Sequence, residues 1–208
     1  MEIAQQSGEE TTVPQKLYWQ WLGTAAQNQQ RNELMNRRCV ELQSKLSSSG
    51  FNSSILKGQG IAALYGELKD FRQPGDIDVY VDCGRGKAIE YARSIGQESV
   101  DWDYKHLHLK LFKDTDVEMH YRPEVLLNLV KNRNLQRWLQ SDEVQGKIYQ
   151  QNGQIITPSV DFNLFYILLH IYRHFLYEGV GLRQLMDYFF VLKSVSQQID
   201  KTLSLEAI

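Results

Sequence analysis

The chain has 208 residues, of which 42% are apolar and 23% charged, and a formal net charge of −2. That balance is ordinary for a single soluble globular domain, with or without a helical appendage. It argues against nonspecific binding along extended nucleic acid, which wants a basic surface, and no apolar run reaches the length needed to span a bilayer.

Residues 1–12 are polar and lack the apolar core of a signal peptide, so a disordered tail and a cytoplasmic location are expected. Pro14 fits the first turn of a helix carrying Leu17, Tyr18, Trp21 and Leu22. A second helix is predicted over residues 25–46, flanking a sheet, with Arg31, Arg37 and Arg38 as a solvated face. Ile55 and Leu56 read as a short strand. It leads into a glycine turn, Lys57-Gly58-Gln59-Gly60, and a helix over residues 61–65. A glycine turn at a helix start offers backbone N–H groups to an anion, and Lys57 adds a mobile positive charge. The same turn is also an ordinary strand-to-helix connection in which glycine relieves strain.

Pro74-Gly75-Asp76-Ile77-Asp78-Val79-Tyr80-Val81-Asp82 is the most informative stretch. A Pro-Gly turn enters a strand whose period of two puts Asp76 and Asp78 on one face. Ile77, Val79 and Val81 alternate against them until Tyr80 breaks the pattern. Two carboxylates side by side on a buried strand repel each other unless a cation lies between them, and Mg²⁺ takes such hard oxygen ligands. Asp-x-Asp also occurs as a plain turn cap. Gly84-Arg85-Gly86 then opens a helix that Gly96 ends, and Asp101 and Asp103 are expected to be exposed.

Residues 106–112 and 117–121 alternate polar and apolar side chains around a turn at Lys113–Asp116, a β-hairpin. A three-residue loop would set Lys110 opposite His120, put Leu107, Leu109 and Leu111 in the core, and face His108, Lys110, Glu118 and His120 to a cleft. Three carboxylates, Asp76, Asp78 and Glu118, can then converge around two Mg²⁺ ions, as in-line transfer at phosphorus requires. Beyond Pro123 the chain turns helical, and residues 151–154 form a turn. The most apolar helix is predicted over residues 160–177. It places His170 and His174 on one face, either as core histidines or, with Arg173, lining the cleft. A last helix covers residues 182–195, with Arg183 and Asp187 as a structural i,i+4 pair. Cys39 and Cys83 have no ligand spacing.

On these residues the chain resembles the DNA polymerase β-like nucleotidyltransferases. More closely, Leu56-Lys57-Gly58, Arg72-Gln73-Pro74-Gly75-Asp76-Ile77-Asp78, Val117–Pro123, His170–His174 and Gly179–Tyr188 are similar to a family of uncharacterised bacterial nucleotidyltransferases, over roughly residues 30–192. The superfamily turn usually carries Gly-Ser with a shorter spacer, where this chain has Gly58-Gln59 and sixteen residues before Asp76. The resemblance implies an α+β fold, a small mixed sheet flanked by helices with a C-terminal helical segment. It divides the chain into a tail (1–12), a transferase core with N-terminal helices (13–150) and a helical segment (151–208). Further helices are usual in that family, so one cleft wall is expected to be absent or supplied by a partner. The activity implied is Mg²⁺-dependent transfer of a nucleoside monophosphate from a nucleoside triphosphate, such as ATP, to an acceptor hydroxyl on a small molecule, protein or RNA. Asp76, Asp78 and Glu118 would bind metal. Lys57, Gly58, Gly60 and Arg72 would bind phosphate. His108, His120, His170, Arg173 and His174 would line the cleft. Two readings stand beside it: a non-catalytic nucleotide-binding or antitoxin-like module on a degenerate core, and a metal hydrolase using His106, His108 and His120.

Overall fold

The computed structural model describes residues 13–206, and the tail expected at residues 1–12 lies outside them. Helix α1, Gln15–Ser48, is one helix of 34 residues rather than two. Gly23 sits inside it in open space. A single helical glycine costs about 1 kcal/mol, too little to end a helix anchored in the core through Met35, Cys39, Leu42 and Leu46.

The strands are β1 (Ser53–Leu56), β2 (Ile77–Val81), β3 (His106–Leu109) and β4 (Val117–His120). They form one mixed sheet in the order β1-β2-β4-β3. β1 pairs antiparallel with β2, β3 antiparallel with β4, and β2 parallel with β4. α2 (Lys57–Ala62) and a 3₁₀ stretch (Ala63–Phe71) join β1 to β2, and α3 (Arg85–Ser94) follows β2. After β4 come α4 (Leu129–Leu139), α5 (Asp142–Ile148), a hairpin of β5 (Gln150–Asn152) and β6 (Ile155–Thr157), α6 (Val160–Tyr177) and α7 (Leu182–Glu206). This is the expected α+β architecture. Among the described residues no helix is long and apolar enough to cross a membrane.

The pleat sorts the strand residues to two cores. Ile55, Ile77, Val79, Val81, Leu107 and Met119 pack under α1 and α3. Leu56 and Tyr80 join Leu139, Phe162, Tyr166 and Ile167 on the other face, under the C-terminal helices. Tyr80 therefore does not break the alternation. It sits on the face of Asp78, in a strand buried on both sides, as strands in a parallel pairing commonly are.

Buried amides on α1 hold the loops that frame this second face. Asn32 Nδ2 donates to the carbonyls of Asp70 and Arg72 at 2.9 and 2.7 Å. Gln43 Nε2 donates to the carbonyls of Ser53 and Ile156, each at 3.0 Å, and its Oε1 accepts from Ile156 N at 2.9 Å. The 3₁₀ stretch and the β5–β6 hairpin are thus tied to the sheet through one helix.

The β3–β4 hairpin forms, but its register differs from the expected one. His106 stands opposite His120 and His108 opposite Glu118, so Lys110 has no partner in β4. The parity is the predicted one, and the shift of four follows from the loop. Leu111 and Phe112 leave the strand to pack against the first core, and Lys110 N donates to Gln97 Oε1 at 3.1 Å. Arg38 lies over the Phe112 ring at 4.5 Å and pairs with Asp114 at 2.7 Å. Arg38 therefore clasps the loop to α1 instead of standing free in solvent. α6 has the bounds expected from the sequence, with Ser159 Oγ capping Phe162 N at 3.2 Å.

Candidate active site

The parallel pairing of β2 with β4 places Asp78 directly beside Glu118, on strands about 4.8 Å apart. A cleft of about 410 Å³ opens above them. Lys57, Gly58, Asp76, Asp78 and Glu118 line one wall, and His170, Arg173 and His174 of α6 line the opposite one. The three acids named from the sequence thus open on one space.

Their charges are partly met from within the chain. Lys57 Nζ lies 2.8 Å from Asp78 Oδ1, and His120 Nε2 lies 2.9 Å from the same oxygen. His120 Nε2 is also 3.4 Å from Glu118 Oε2. Burial works against the Asp78 carboxylate, yet Lys57 and then His120 hold its pKa well below the usual range. Burial likewise opposes ionisation of Glu118, and His120 outweighs it, lowering that carboxyl to about 2. His120 is raised against its own burial by the two acids. His106 is pushed down to about 4 by burial and then by the charge of His120. His120 thus bridges the carboxyl groups of Asp78 and Glu118, with the His106 ring beside it. Asp76, exposed at the mouth, has its carboxyl raised by desolvation and then by Asp78.

Lys57 is the one described non-glycine residue with positive φ, at 42°, and Gly58 follows at 35°. Such a backbone costs a lysine of order 1–3 kcal/mol and is characteristic of functional turns. Here it aims the ammonium at Asp78. Gly60 has a different role from the one expected. It is buried and does not line the cleft, and a Cβ there would stand 2.1 Å from the Ile55 carbonyl oxygen, so it permits close packing of α2 on β1.

Arg72 reaches the cleft, but its fork is committed. Its Nε and Nη2 bind the two oxygens of Asp187, both at 2.8 Å, and Tyr65 Oη donates to Asp187 Oδ1 at 2.5 Å. The expected Arg183–Asp187 pair is replaced by this cluster. The Arg183 guanidinium lies against Gly75 instead, 3.4 Å from where a Cβ would stand. His120 is fully buried behind the acids, and neither His108 nor Lys110 lines the cleft.

Lys105, on the cleft wall, and Glu124, buried behind His170 and Arg173, are residues that the sequence did not single out. Lys105 is buried on the cleft wall, where desolvation lowers its pKa. Glu124, 1% exposed, accepts from Val125 N at 3.0 Å and lies 3.5 Å from both His170 Nδ1 and Arg173 Nε. Despite its burial, His170 and Lys105 hold its carboxyl down to about 2, while burial and then the charge of Lys57 push His170 to about 4. Lys105 directly precedes β3 and Glu124 follows Pro123. Neither position carries a local signal, because both matter only once β4 has paired with β2.

The acids suit a divalent cation. One ligand atom from each of Asp78, Glu118 and His120 lies within 4.8 Å of the others, and Asp76 adds a third carboxylate facing the same cleft. Carboxylate oxygens are the donors that Mg²⁺ prefers. The Asp76 carboxyl is raised first by desolvation and next by the charge of Asp78, against which Lys57 acts.

The family model described as "Uncharacterised nucleotidyltransferase" matches residues 2–207. The chain belongs to this nucleotidyltransferase family. None of the curated proteins compared with it matches. Among solved structures it is similar to an antigenic nucleotidyltransferase-like protein from Paracoccidioides brasiliensis, at 15% identity and a TM-score of 0.47, over 82% of this chain and 89% of that one. For this nucleotidyltransferase family member, transferase chemistry is the activity class the family suggests, and the acid-lined cleft on the second sheet face is its candidate active site.

Proposed function

We propose that the protein transfers a nucleoside monophosphate from a nucleoside triphosphate, ATP among them, to an acceptor hydroxyl. The observation that carries this reading is the register of Asp78 beside Glu118 across a parallel strand pair, with Asp76 and the Lys57–Gly58 turn on the same cleft. Asp76, Asp78 and Glu118 would hold two Mg²⁺ ions, which when bound neutralise phosphate charge and acidify the acceptor hydroxyl. Lys57 and the backbone at Gly58 face the phosphates from one wall, with Lys105, Arg173 and Arg183 as cations elsewhere around the cleft. Arg72 contributes by fixing Asp187 and the 3₁₀ stretch. The acceptor oxygen would bond to the α-phosphorus as the bond to pyrophosphate breaks. Glu118, its carboxyl lowered to about 2, is a weak base, so its part is to hold a cation, and the proton of the acceptor hydroxyl would pass to solvent water in the open cleft.

One observation favours the non-catalytic alternative. Lys57 and His120 already neutralise Asp78 Oδ1 at 2.8 and 2.9 Å, as a degenerate core that binds nucleotide without turning it over would do. Calorimetry with Mg²⁺ and each nucleoside triphosphate, read beside pyrophosphate release, separates the two. Radiolabel transfer into lysate by wild type, and not by an Asp76/Asp78 double variant, supports the transferase. Binding without pyrophosphate release supports the module.

A further inference from the structure

A second group of metal-ligating side chains lies beside the acids, at the outer edge of the sheet. His106 and His108 are two apart on β3 and share a face, and Glu118 stands across from His108 on β4. One ligand atom from each lies within 4.8 Å of the other two. Ligands 2.0–2.1 Å from a tetrahedral ion are about 3.4 Å apart, so small side-chain rotations close the set. β3 is an edge strand, and His108 is partly exposed, leaving the fourth position open to solvent.

The surroundings are those of a supported site. His106 presents Nε2 to Glu118 Oε1 at 3.7 Å, while its other nitrogen, Nδ1, faces Asp103 Oδ1 at 3.6 Å. A carboxylate behind a ligating imidazole fixes the ring and raises its basicity. Asp103 is itself held, since its Oδ1 accepts from the backbone N–H groups of Lys105 and His106 at 2.7 and 2.8 Å. His106 Nδ1 is buried with no hydrogen-bond partner that meets normal geometry. The backbone is braced too, with His108 N donating to the Asp101 carbonyl at 2.9 Å and Asp103 N to the His106 carbonyl at 3.0 Å.

We propose that His106, His108 and Glu118 form a site for a borderline first-row cation of the Zn²⁺ class, distinct from the oxygen-ligand set at Asp76 and Asp78. Two imidazoles and one carboxylate are a zinc ligand set and a poor one for Mg²⁺. Glu118 belongs to both sets. An ion held by the histidines withdraws Glu118 from the acids, so occupancy of the edge site opposes assembly of the carboxylate site.

The test uses the untagged full chain, stripped with a chelator and dialysed against Zn²⁺ or Co²⁺ alone. Wild type is expected to retain one equivalent of Zn²⁺ and to give the visible absorption of four-coordinate Co²⁺. His108→Ala, at a partly exposed position, is expected to keep the wild-type circular dichroism and to weaken binding at least about a hundredfold. Asp103→Asn should weaken it about tenfold, and Asp78→Asn should leave it unchanged. Absence of bound Zn²⁺ in wild type overturns the proposal. So does wild-type affinity in His108→Ala, or a loss caused by Asp78→Asn alone, which would put the ion at Asp78, Glu118 and His120. These readouts involve no nucleotide, so they stand or fall separately from the proposed transferase activity.

Discussion

Two buried carboxylates on the same cleft meet their positive partners in opposite ways. Asp187 is gripped by both prongs of Arg72 and by the Tyr65 hydroxyl, which leaves a closed unit. Asp78 is met by a single ammonium and a histidine edge on one of its oxygens. A planar guanidinium fixes a carboxylate bidentately, whereas an ammonium on a flexible stem is a movable point charge. The difference separates an anion held for structure from one whose partner can be exchanged.

The contrast is broken most decisively at the acids. Asp78→Asn should lower nucleotide transfer by more than about a hundredfold, since residues merely supporting a metal ligand already cost that much. Its measure is pyrophosphate release at saturating Mg²⁺, and near-wild-type turnover would remove Asp78 from the mechanism. Asp187→Ala should instead cost about 3–5 kcal/mol of stability, because it strands a buried guanidinium, and urea unfolding reads that directly. Lys57→Gln and Arg72→Gln form the matched pair. Both should lower the melting temperature in chelator, but millimolar Mg²⁺ should restore only Lys57→Gln, by binding the folded state where the ammonium lay. Equal rescue of both, or of neither, would show that the two anions are alike.

Smaller effects should appear away from the acids. Gly60→Ala should cost about 1–3 kcal/mol through overpacking, because the new methyl meets the Ile55 carbonyl; thermal melts measure it. His170, at about 4 in the fold against about 6.5 unfolded, binds fewer protons folded than unfolded. Stability should therefore fall as pH drops from about 6.5 toward 4. Glu124, at about 2, contributes stability that is lost below its unfolded value near 4.3. His170→Gln should flatten the upper part of the acid-unfolding curve and also shrink the lower part, because it removes the imidazole that helps hold Glu124 down.

Local elements were legible in the chain where local chemistry decides them. The apolar run over residues 160–177 marked α6, the Pro-Gly turn marked the entry to β2, and alternation at residues 106–112 and 117–121 marked a hairpin of the right parity, with strands that end sooner, at 109 and 120. The register was hidden because it depends on Arg38 and Gln97, far away in sequence, which pull the loop inward. The pairing of Arg183 with Asp187 read wrongly for a similar reason. A helical i,i+4 spacing offers a partner, but a better-shaped one arrives from a loop 115 residues earlier. Asp76, Asp78 and Glu118 could be named as candidates because strand periodicity is local. Lys105 and Glu124 could not, because nothing near them signals a cleft.

The parallel contact between β2 and β4 has a consequence for assembly. Before those strands meet, Asp78 and Glu118 are distant along a loose chain and feel little of each other. Their repulsion arises only as those strands pair, which also brings His120 to Asp78, while Lys57 reaches Asp78 through the pairing of β1 with β2. The polypeptide thus has no strong cation trap while it is immature. Closure of the central ladder and emergence of the acidic centre are one event, so refolding followed by backbone and by ion uptake should show a single shared rate.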